Sequence, residues 1–298
     1  MSLSKRLFDS AKVWLPDDVF LSFVHRRRIG RFPNLRRPLT FNEQILRRCL
    51  HPDPRYVDLS DKLAVRDYIA RKIGPQYLIP LLAAPSVFTK TVFDELPKAF
   101  VMKANHGSGF VKVVRDKSTT SFEELSQLAQ EWLTTDFYRI ARERHYRAIK
   151  PRIFFEELLL DDTGTVPPDL KFHVFNEKSG KQTIYILVIS DRFGAIPHGD
   201  TFDANWNAQN IRFGHYKPSE TPVPRPENLD ALLETAGALA RDFEYVRVDL
   251  YSLRDKIYFG ELTFTPGAGV LRMQPDSVDY EWGRMLEMIR QQWAGEKV

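Results

Sequence analysis

Near the C-terminal end of the chain, the stretch VRVDLYSLRDKIYFGELTFTPGAG sets Arg247, Asp249 and Glu261 among residues that otherwise read as two apolar strands. Runs with strand chemistry, Tyr245–Tyr251 and Ile257–Phe264, flank a polar turn at Ser252–Lys256, the pattern of a β-hairpin. Alternation puts Arg247 and Asp249 on one face of the first strand, and Glu261, Thr263 and Thr265 on one face of the second. A turn symmetric about Asp255 sets Asp249 directly opposite Glu261, whereas a one-residue change in turn length sends them to opposite sides of the sheet. Carboxylates held together repel unless a proton or a cation lies between them, and Mg²⁺ takes carboxylate oxygens alongside phosphates. A structural ion pair of Arg247 with Glu261, beside an exposed Asp249, is the other reading that the hairpin allows. The TPGAG that follows supplies a tight turn and free backbone N–H groups.

A second stretch with chemistry is FVMKANHGSGFVKV, Phe100–Val113. An apolar strand leads into Lys103, then a polar glycine loop at Asn105–Gly109, then a second strand from Phe110. Glycines let N–H groups approach an anion closely, and a lysine adds a point charge suited to phosphate. No Gly-Lys-Ser/Thr opens a helix here, so this is not a Walker A loop. It is either a flap that folds over a nucleotide or a plain hairpin with a glycine turn. His106 in the loop and His173 on a later strand are candidates to touch substrate or phosphate, with simple packing as the alternative. No Ser/His/Asp or Cys/His nucleophilic set stands out. The single cysteine, Cys49, excludes an intramolecular disulfide and a cysteine-based zinc site.

Several elements must position these residues. Asp58–Ile73 reads as a helix ended by Gly74-Pro75, and it carries Lys62. Tyr77–Leu82 is a strand-type run, with a short helix or turn at Phe88–Leu96. Ser121 and Glu124 form a capping box for a helix through about Tyr138, and Arg139–Lys150 is basic and amphipathic. PRIFFEELLL, Pro151–Leu160, is an apolar strand carrying Glu156 and Glu157. Strands follow at Leu170–Phe175 and Gln182–Ile189. Ser190–Glu220 shows little periodicity and reads as a long functional loop. Leu229–Phe243 and Tyr280–Trp293 are amphipathic helices. At the N-terminus, Leu3–Trp14 and Asp17–Arg28 read as two short helices split by Pro16.

The 298 residues, 43% hydrophobic and 28% charged, are ordinary for a soluble globular chain of one large or two moderate domains. No apolar run approaches the ~20 residues that span a bilayer, and the first residues lack a signal-peptide core, so a cytoplasmic protein is expected. Six arginines fall between Arg26 and Arg37 with no acid among them. Such a cluster suits a polyanion, an anionic lipid surface or an acidic glycan, or it is a solvated face with packed stems.

The order of these signals resembles the ATP-grasp superfamily, and more closely its family associated with teichuronopeptide and other cell-surface polysaccharide biosynthesis. The matching stretches are FNEQI, DLSDKLAVRDYI, YLIPLL, FVMKANHGSG, HYRAIKPRIFFEELL, DLKFHVFN, SDRF and YVRVDLYS…IYFGELTFTPGAG, spanning roughly Phe41 to Gly269. The resemblance implies an α+β ATP-grasp fold, two α+β subdomains sandwiching ATP, with a short helical basic N-terminal arm. By position, the arm is 1–57, the N-terminal subdomain with its flap 58–159, and the C-terminal subdomain with the Mg²⁺-binding hairpin 160–298. Lys62 and Lys103 match the ATP-phosphate lysines, with His106, Gly107, Ser108 and Gly109 in the flap. Glu156, Glu157, Leu158 and Leu159 match the linker that holds adenine, and Asp169 falls where a ribose-binding acid lies. Arg247 matches the arginine on the transferred phosphoryl group, while Asp249 and Glu261 match the Mg²⁺ ligands. Thr263 stands where the superfamily usually has an asparagine ligand, which weakens a second metal site. Gly267 matches a turn whose N–H groups face a developing oxyanion.

The resemblance implies a carboxylate–amine ligase using ATP and Mg²⁺ through an acylphosphate, coupling an amino acid or amine to an acidic sugar. An ATP-grasp kinase acting on a hydroxyl is the alternative, and a non-catalytic glycan-binding subunit is a third reading. No nucleic-acid partner is expected. Peripheral association with a membrane or with polysaccharide machinery, through the basic N-terminus, is an expectation alongside these.

Overall fold

The computed structural model describes residues 14–191 and 197–295. The expected helix Leu3–Trp14, apart from Trp14, lies outside these residues, as do Arg192 and Phe193 of the SDRF stretch.

The chain opens with α1 (Asp17–Ile29), α2 (Phe41–Leu50), α3 (Tyr56–Ser60) and α4 (Val65–Lys72). It continues with β1 (Leu81–Ala83), α5 (Lys90–Glu95), β2 (Phe100–Ala104), β3 (Val111–Val114), α6 (Phe122–Thr134), α7 (Phe137–Ala141) and β4 (Ile153–Glu156). Strands β1–β4 form an antiparallel sheet in the order β1-β4-β2-β3. Its apolar face, Phe100, Met102, Ala104 and Phe155, packs under α6 through Leu125, Ala129 and Trp132. Ser121 caps α6 by accepting the Glu124 N–H, and the helix stops at Thr134, short of the expected Tyr138.

The second half holds β5 (Asp169–Asn176), β6 (Gln182–Ser190), β7 (His198–Asp203), β8 (Ala208–Gln209), β9 (Arg212–Phe213), α8 (Leu229–Ala240), β10 (Tyr245–Leu253), β11 (Lys256–Thr263), β12 (Met273–Gln274) and α9 (Ser277–Ala294). Six of these strands form an antiparallel sheet, β11-β10-β5-β6-β7-β8. Alternation divides the sheet between two cores. Phe172, Val174, Val246 and Val248 face α8, while Phe175, Leu187 and Tyr245 face α2 and α9 around Trp282. The α+β class expected from the sequence is the one observed.

Two local expectations fail for visible reasons. Asp58–Ile73 is not one helix, because Asp61 breaks it. The Asp61 carboxylate accepts the Leu63 and Ala64 N–H groups at 2.8 and 3.2 Å and the Asn105 amide at 2.8 Å. Lys62 therefore stands on a turn between α3 and α4, its own N–H donating to Asn105 O at 3.2 Å. The region Ser190–Glu220 is not all loop, since β7 pairs along β6 and buries Thr201 and Phe202, with Ile211 and Phe213 buried behind.

The N-terminal elements are tied to the body. Phe20 and Leu21 of α1 and most of α2 lie in the core shared with α9. Asp17 is buried and accepts from Tyr138 Oη (2.7 Å), Arg144 Nε (2.8 Å) and Arg142 Nη1 (3.1 Å). Thr40 and Glu43 form a full capping box on α2. Asn42 stitches distant segments together: its side-chain amide donates to Leu271 O and Asp279, its carbonyl accepts the Leu271 N–H, and its own N–H donates to Asp279.

Candidate functional site

The face of the second sheet that carries Phe175 and Tyr245 turns from apolar to charged along its strands. Cross-strand partners Phe175–Tyr245 give way to His173–Arg247–Thr263, then to Lys171–Asp249–Glu261. Asp249 and Glu261 are thus direct partners across the hairpin. The turn that achieves this differs from the symmetric one expected. Its two residues, Arg254 and Asp255, both have positive φ and pair Leu253 with Lys256, a register that alone would set Asp249 opposite Gly260. A bulge between Asp249 and Leu250 makes Gly260 the extra residue and returns Glu261 to the face of Asp249. A Cβ at Gly260 would sit 3.1 Å from Asp249 O and 3.2 Å from the Tyr251 ring, so a side chain is ill fitted there.

These charges form one network, buried at Asp249 and Lys171 and half-buried at Arg247 and Glu261. Arg247 donates from Nε and Nη2 to the two oxygens of Asp249 at 2.7 and 2.8 Å, and from Nη2 to Glu261 Oε1 at 2.7 Å. Lys171 Nζ donates to Asp249 Oδ2 at 2.5 Å and lies 3.6 Å from Asp169. Thr263 Oγ1 donates to Glu261 at 3.1 Å, and Lys62 Nζ stands 3.9 Å from its other oxygen. Burial pushes the Asp249 pKa up, but Arg247 and Lys171 outweigh it and hold the carboxyl below its usual range. Glu261 is likewise held low: burial and Asp249 raise it, and Lys62, Arg247 and Lys171 prevail. The structural ion pair and the carboxylate pair are therefore one arrangement, with Arg247 bridging both acids.

A cleft opens beside this network, walled by both sheets. Lys62, Lys103, Ser108, Gly109, Glu156, Glu157, Leu158, Leu159, Asp249 and Glu261 all line it, so residues spread over two hundred positions come together. Val101, Ile79, Phe154 and Phe259 give it apolar surface. Lys62 Nζ donates to Gly107 O at 2.5 Å, which ties the root of the glycine loop to α3–α4. Lys103 Nζ donates to Glu156 Oε2 at 2.6 Å.

Other expected residues lie elsewhere. The His106 ring is buried and turned away from the cleft, its Nε2 against the Trp132 and Thr135 carbonyls at 3.1 and 3.3 Å. Both partners are acceptors, so Nε2 carries the proton, and burial keeps the ring neutral. His173 is packed too, stacked on Phe213 with Nδ1 at 2.8 Å from Tyr245 Oη. Asp169 is buried beside Lys171. Glu156, by contrast, does line the cleft, where its two oxygens accept from Arg66 Nη1 (2.8 Å) and Lys103. The turn with Gly267 does not offer all its N–H groups: Ala268 N donates to Thr265 O and Val270 N to Gly267 O. Gly269 lies against α2, where a Cβ would come within 2.7 Å of Asn42 O.

Sequence reasoning missed three residues. Lys171 sits in DLKFHVFN on the same strand face as Asp169 and His173, a legible signal. Arg66 lies four residues after Lys62, at the start of α4. Glu143 had no local signal: it is buried, accepts from Thr265 Oγ1, and feels Glu261, Lys62 and Arg247. Burial first, then Glu261, raises its pKa to about 7.

Among the described residues no group of three or more His, Cys, Asp or Glu side chains is arranged to hold a metal ion. Asp249 and Glu261 offer two ionised carboxylates. That donor set fits Mg²⁺, which is commonly held by one or two carboxylates with the remaining ligands from phosphates and water.

Comparison with solved structures gives weak likenesses. Biotin carboxylase from Campylobacter jejuni is 15% identical with a TM-score of 0.46, covering 79% of this chain and 47% of that one. D-alanine–D-alanine ligase from Bacillus anthracis is 18% identical with a TM-score of 0.42, covering 78% of this chain and 66% of that one. The chain thus spans about half to two thirds of the length of these proteins. No curated protein is significantly similar to it in sequence. The family model described as TupA-like ATPgrasp matches residues 42–287, most of the chain and all of the cleft. This chain belongs to the TupA-like ATP-grasp family.

Proposed function

We propose that the protein is an ATP- and Mg²⁺-dependent carboxylate–amine ligase that works through an acylphosphate. Its acceptor would be an acidic sugar and its nucleophile an amino acid or amine, in cell-surface polysaccharide biosynthesis on the cytoplasmic side. The observation that carries this reading is the convergence of Lys62, Lys103, Asp249 and Glu261 on one cleft between two sheets, with Arg247 bonded to both acids at its edge.

Each residue has a defined part. Lys62 and Lys103, from different elements, orient the phosphates as point charges. The glycine loop, with Ser108 and Gly109 in the cleft wall, covers them and excludes water. Leu158 and Leu159, with Val101 and Phe154, hold the base. Arg247 is anchored on two carboxylates, and its guanidinium stabilises charge on the phosphoryl group in flight. Asp249 and Glu261, with Thr263 beside them, would hold Mg²⁺, which would supply positive charge against the phosphates. The acceptor carboxylate attacks the γ-phosphorus and ADP leaves. The amine then attacks the acyl carbon, losing a proton as phosphate departs, and an amide remains.

Incubating uronic-acid glycans with amino acids and Mg²⁺-ATP, with ADP release and product mass as readouts, tests the reading. An amide product supports the ligase. A stable phosphoester would instead support the kinase, which keeps the same nucleotide site. ATP that is not consumed with any acceptor would favour a binding subunit.

A further inference from the structure

The exposed aromatic residues in and around α1 are not accounted for by the nucleotide cleft. Among the described residues, large side chains left mostly in water include Trp14 (87% exposed), Phe23 (50%), Phe32 (59%) and Leu39 (62%), all within one short stretch of the chain. Phe20, Leu21 and His25 form the buried side of α1. At 100° per residue, Phe23 and Arg26 fall together on the opposite side, with Arg27 next to them. Phe32, from the segment after the helix, packs its ring edge on Phe23 with centroids 5.9 Å apart and planes at 73°, and Arg26 lies 6.0 Å from the Phe32 ring. The result is an apolar ridge flanked by guanidinium groups.

The charge along this stretch of chain has one sign. Between Asp18 and Glu43 the chain has six arginines and no acid. Arg31 is taken by Asp276 and Asp279 at 2.8 and 2.7 Å, so it is structural. Arg26, Arg27, Arg28, Arg36 and Arg37 are exposed. No helix of the described residues is long and apolar enough to cross a membrane.

We propose that this ridge is a docking surface for an anionic lipid bilayer, with Phe23 and Phe32 entering the headgroup boundary and the arginines resting on lipid phosphates. Aromatic side chains gain by leaving water for that boundary, and basic residues beside an anionic leaflet add attraction that salt screens. An acidic glycan would use the same arginines. It is disfavoured because two phenyl rings set edge to face, with no polar tip, give a ridge rather than a flat platform for a sugar ring. The inference goes beyond the ligase reading and does not depend on it.

The test is co-sedimentation of the full chain with vesicles of phosphatidylcholine alone or mixed with phosphatidylglycerol, at low and moderate salt. The wild type is expected to bind only the mixed vesicles, more tightly at low salt. The double variant Phe23→Ser/Phe32→Ser is expected to lose about tenfold or more in vesicle affinity although every arginine remains. Its melting temperature and affinity for a non-hydrolysable ATP analogue should be unchanged, because neither ring is in the core or the cleft. Arg27→Gln/Arg28→Gln should remove much of the salt-sensitive part. Three outcomes would overturn the proposal. One is no sedimentation of wild type with mixed vesicles. Another is equal binding by the Phe variant with undiminished retention on soluble polyglucuronate, which would assign the arginines to a glycan. The last is a dimer that the Phe variant converts to monomer, which would make the ridge an interface between copies.

Discussion

Asp249 and Glu261 face one another across the β-hairpin only because Gly260 is bulged out of the ladder between them. Removing either acid should abolish Mg²⁺-dependent ADP production. The two variants should differ in stability. Asp249 is fully buried beneath Arg247 and Lys171, so Asp249→Ala leaves buried Lys171 and half-buried Arg247 without their shared partner, a loss of about 3–5 kcal/mol. Glu261 is about one-third exposed, and Glu261→Ala should destabilise less. Melting curves with ADP-release assays check both. Undiminished turnover in either variant would sink the metal assignment.

Lys103→Ala should weaken nucleotide binding by the loss of one charge-assisted contact, about 1.5–3 kcal/mol, or roughly tenfold to over a hundredfold in Kd. Glu156 holds Lys103 at 2.6 Å, so Glu156→Gln should give a smaller loss of the same kind by releasing the lysine from its place. Calorimetry with a non-hydrolysable ATP analogue measures both. Unchanged affinity in Lys103→Ala would remove the lysine from the phosphate site.

Glu143 should leave a pH signature in stability. Burial raises its carboxyl from the ordinary 4.5 to about 7, with Glu261 adding to the shift and the Thr265 hydroxyl opposing it. Between those values the native protein holds a proton that the unfolded chain has released, so stability falls as pH rises through that window. The full loss is at most roughly 3 kcal/mol. Glu143→Gln keeps the uncharged form and should flatten the slope, becoming more stable than wild type at pH 8. Denaturant unfolding from pH 4.5 to 8 decides this, and identical slopes in the two proteins would refute it.

Asp17→Ala should loosen the contact between α1 and the segment 138–144. Arg142 is buried against the Asp17 carboxylate, and Arg144 and Tyr138 donate to it as well. Losing a buried partner of this kind costs about 3–5 kcal/mol. Hydrogen exchange should show faster exchange in α1, with β10 and β11 little changed. Uniform protection across both regions would show that the anchor is dispensable.

Much of this was legible because the two-residue period of strands and the 3.6-residue period of helices are local. The period-2 run over Tyr245–Tyr251 shows which of its side chains share a face, Leu170–Phe175 reads as a strand, and the cleft residues came from the ATP-grasp resemblance that the order of the motifs carries. What stayed hidden was non-local. The symmetric turn about Asp255 gave the right partners for Asp249 through the wrong geometry, since a two-residue turn and a bulge together produce the same pairing. Lys62 left its helix because the Asp61 side chain competes for backbone N–H groups, an effect that depends on Asn105 far along the chain. His106 sits in a loop that looked made for phosphate, and the end of α6 takes its ring instead. Glu143 could not be found at all, because only the fold brings Thr265 to it.

The Asn42 stitch also bears on how the protein comes to be made. Its side chain is fully buried, and among the described residues it finds its partners at Leu271 and Asp279, 229 and 237 residues away. During synthesis the first of the two halves can close its small sheet around local contacts, but the seat of α2 is incomplete until Leu271, Asp279 and Trp282 have left the ribosome. Loops of that length close late, and a buried amide without partners is costly in the meantime. The face of the C-terminal sheet that α2 will cover, Phe175 and Tyr245 included, is then open to solvent and to other chains. A nascent chain stalled before Ser277 should therefore be the form that chaperones hold and that aggregates most readily.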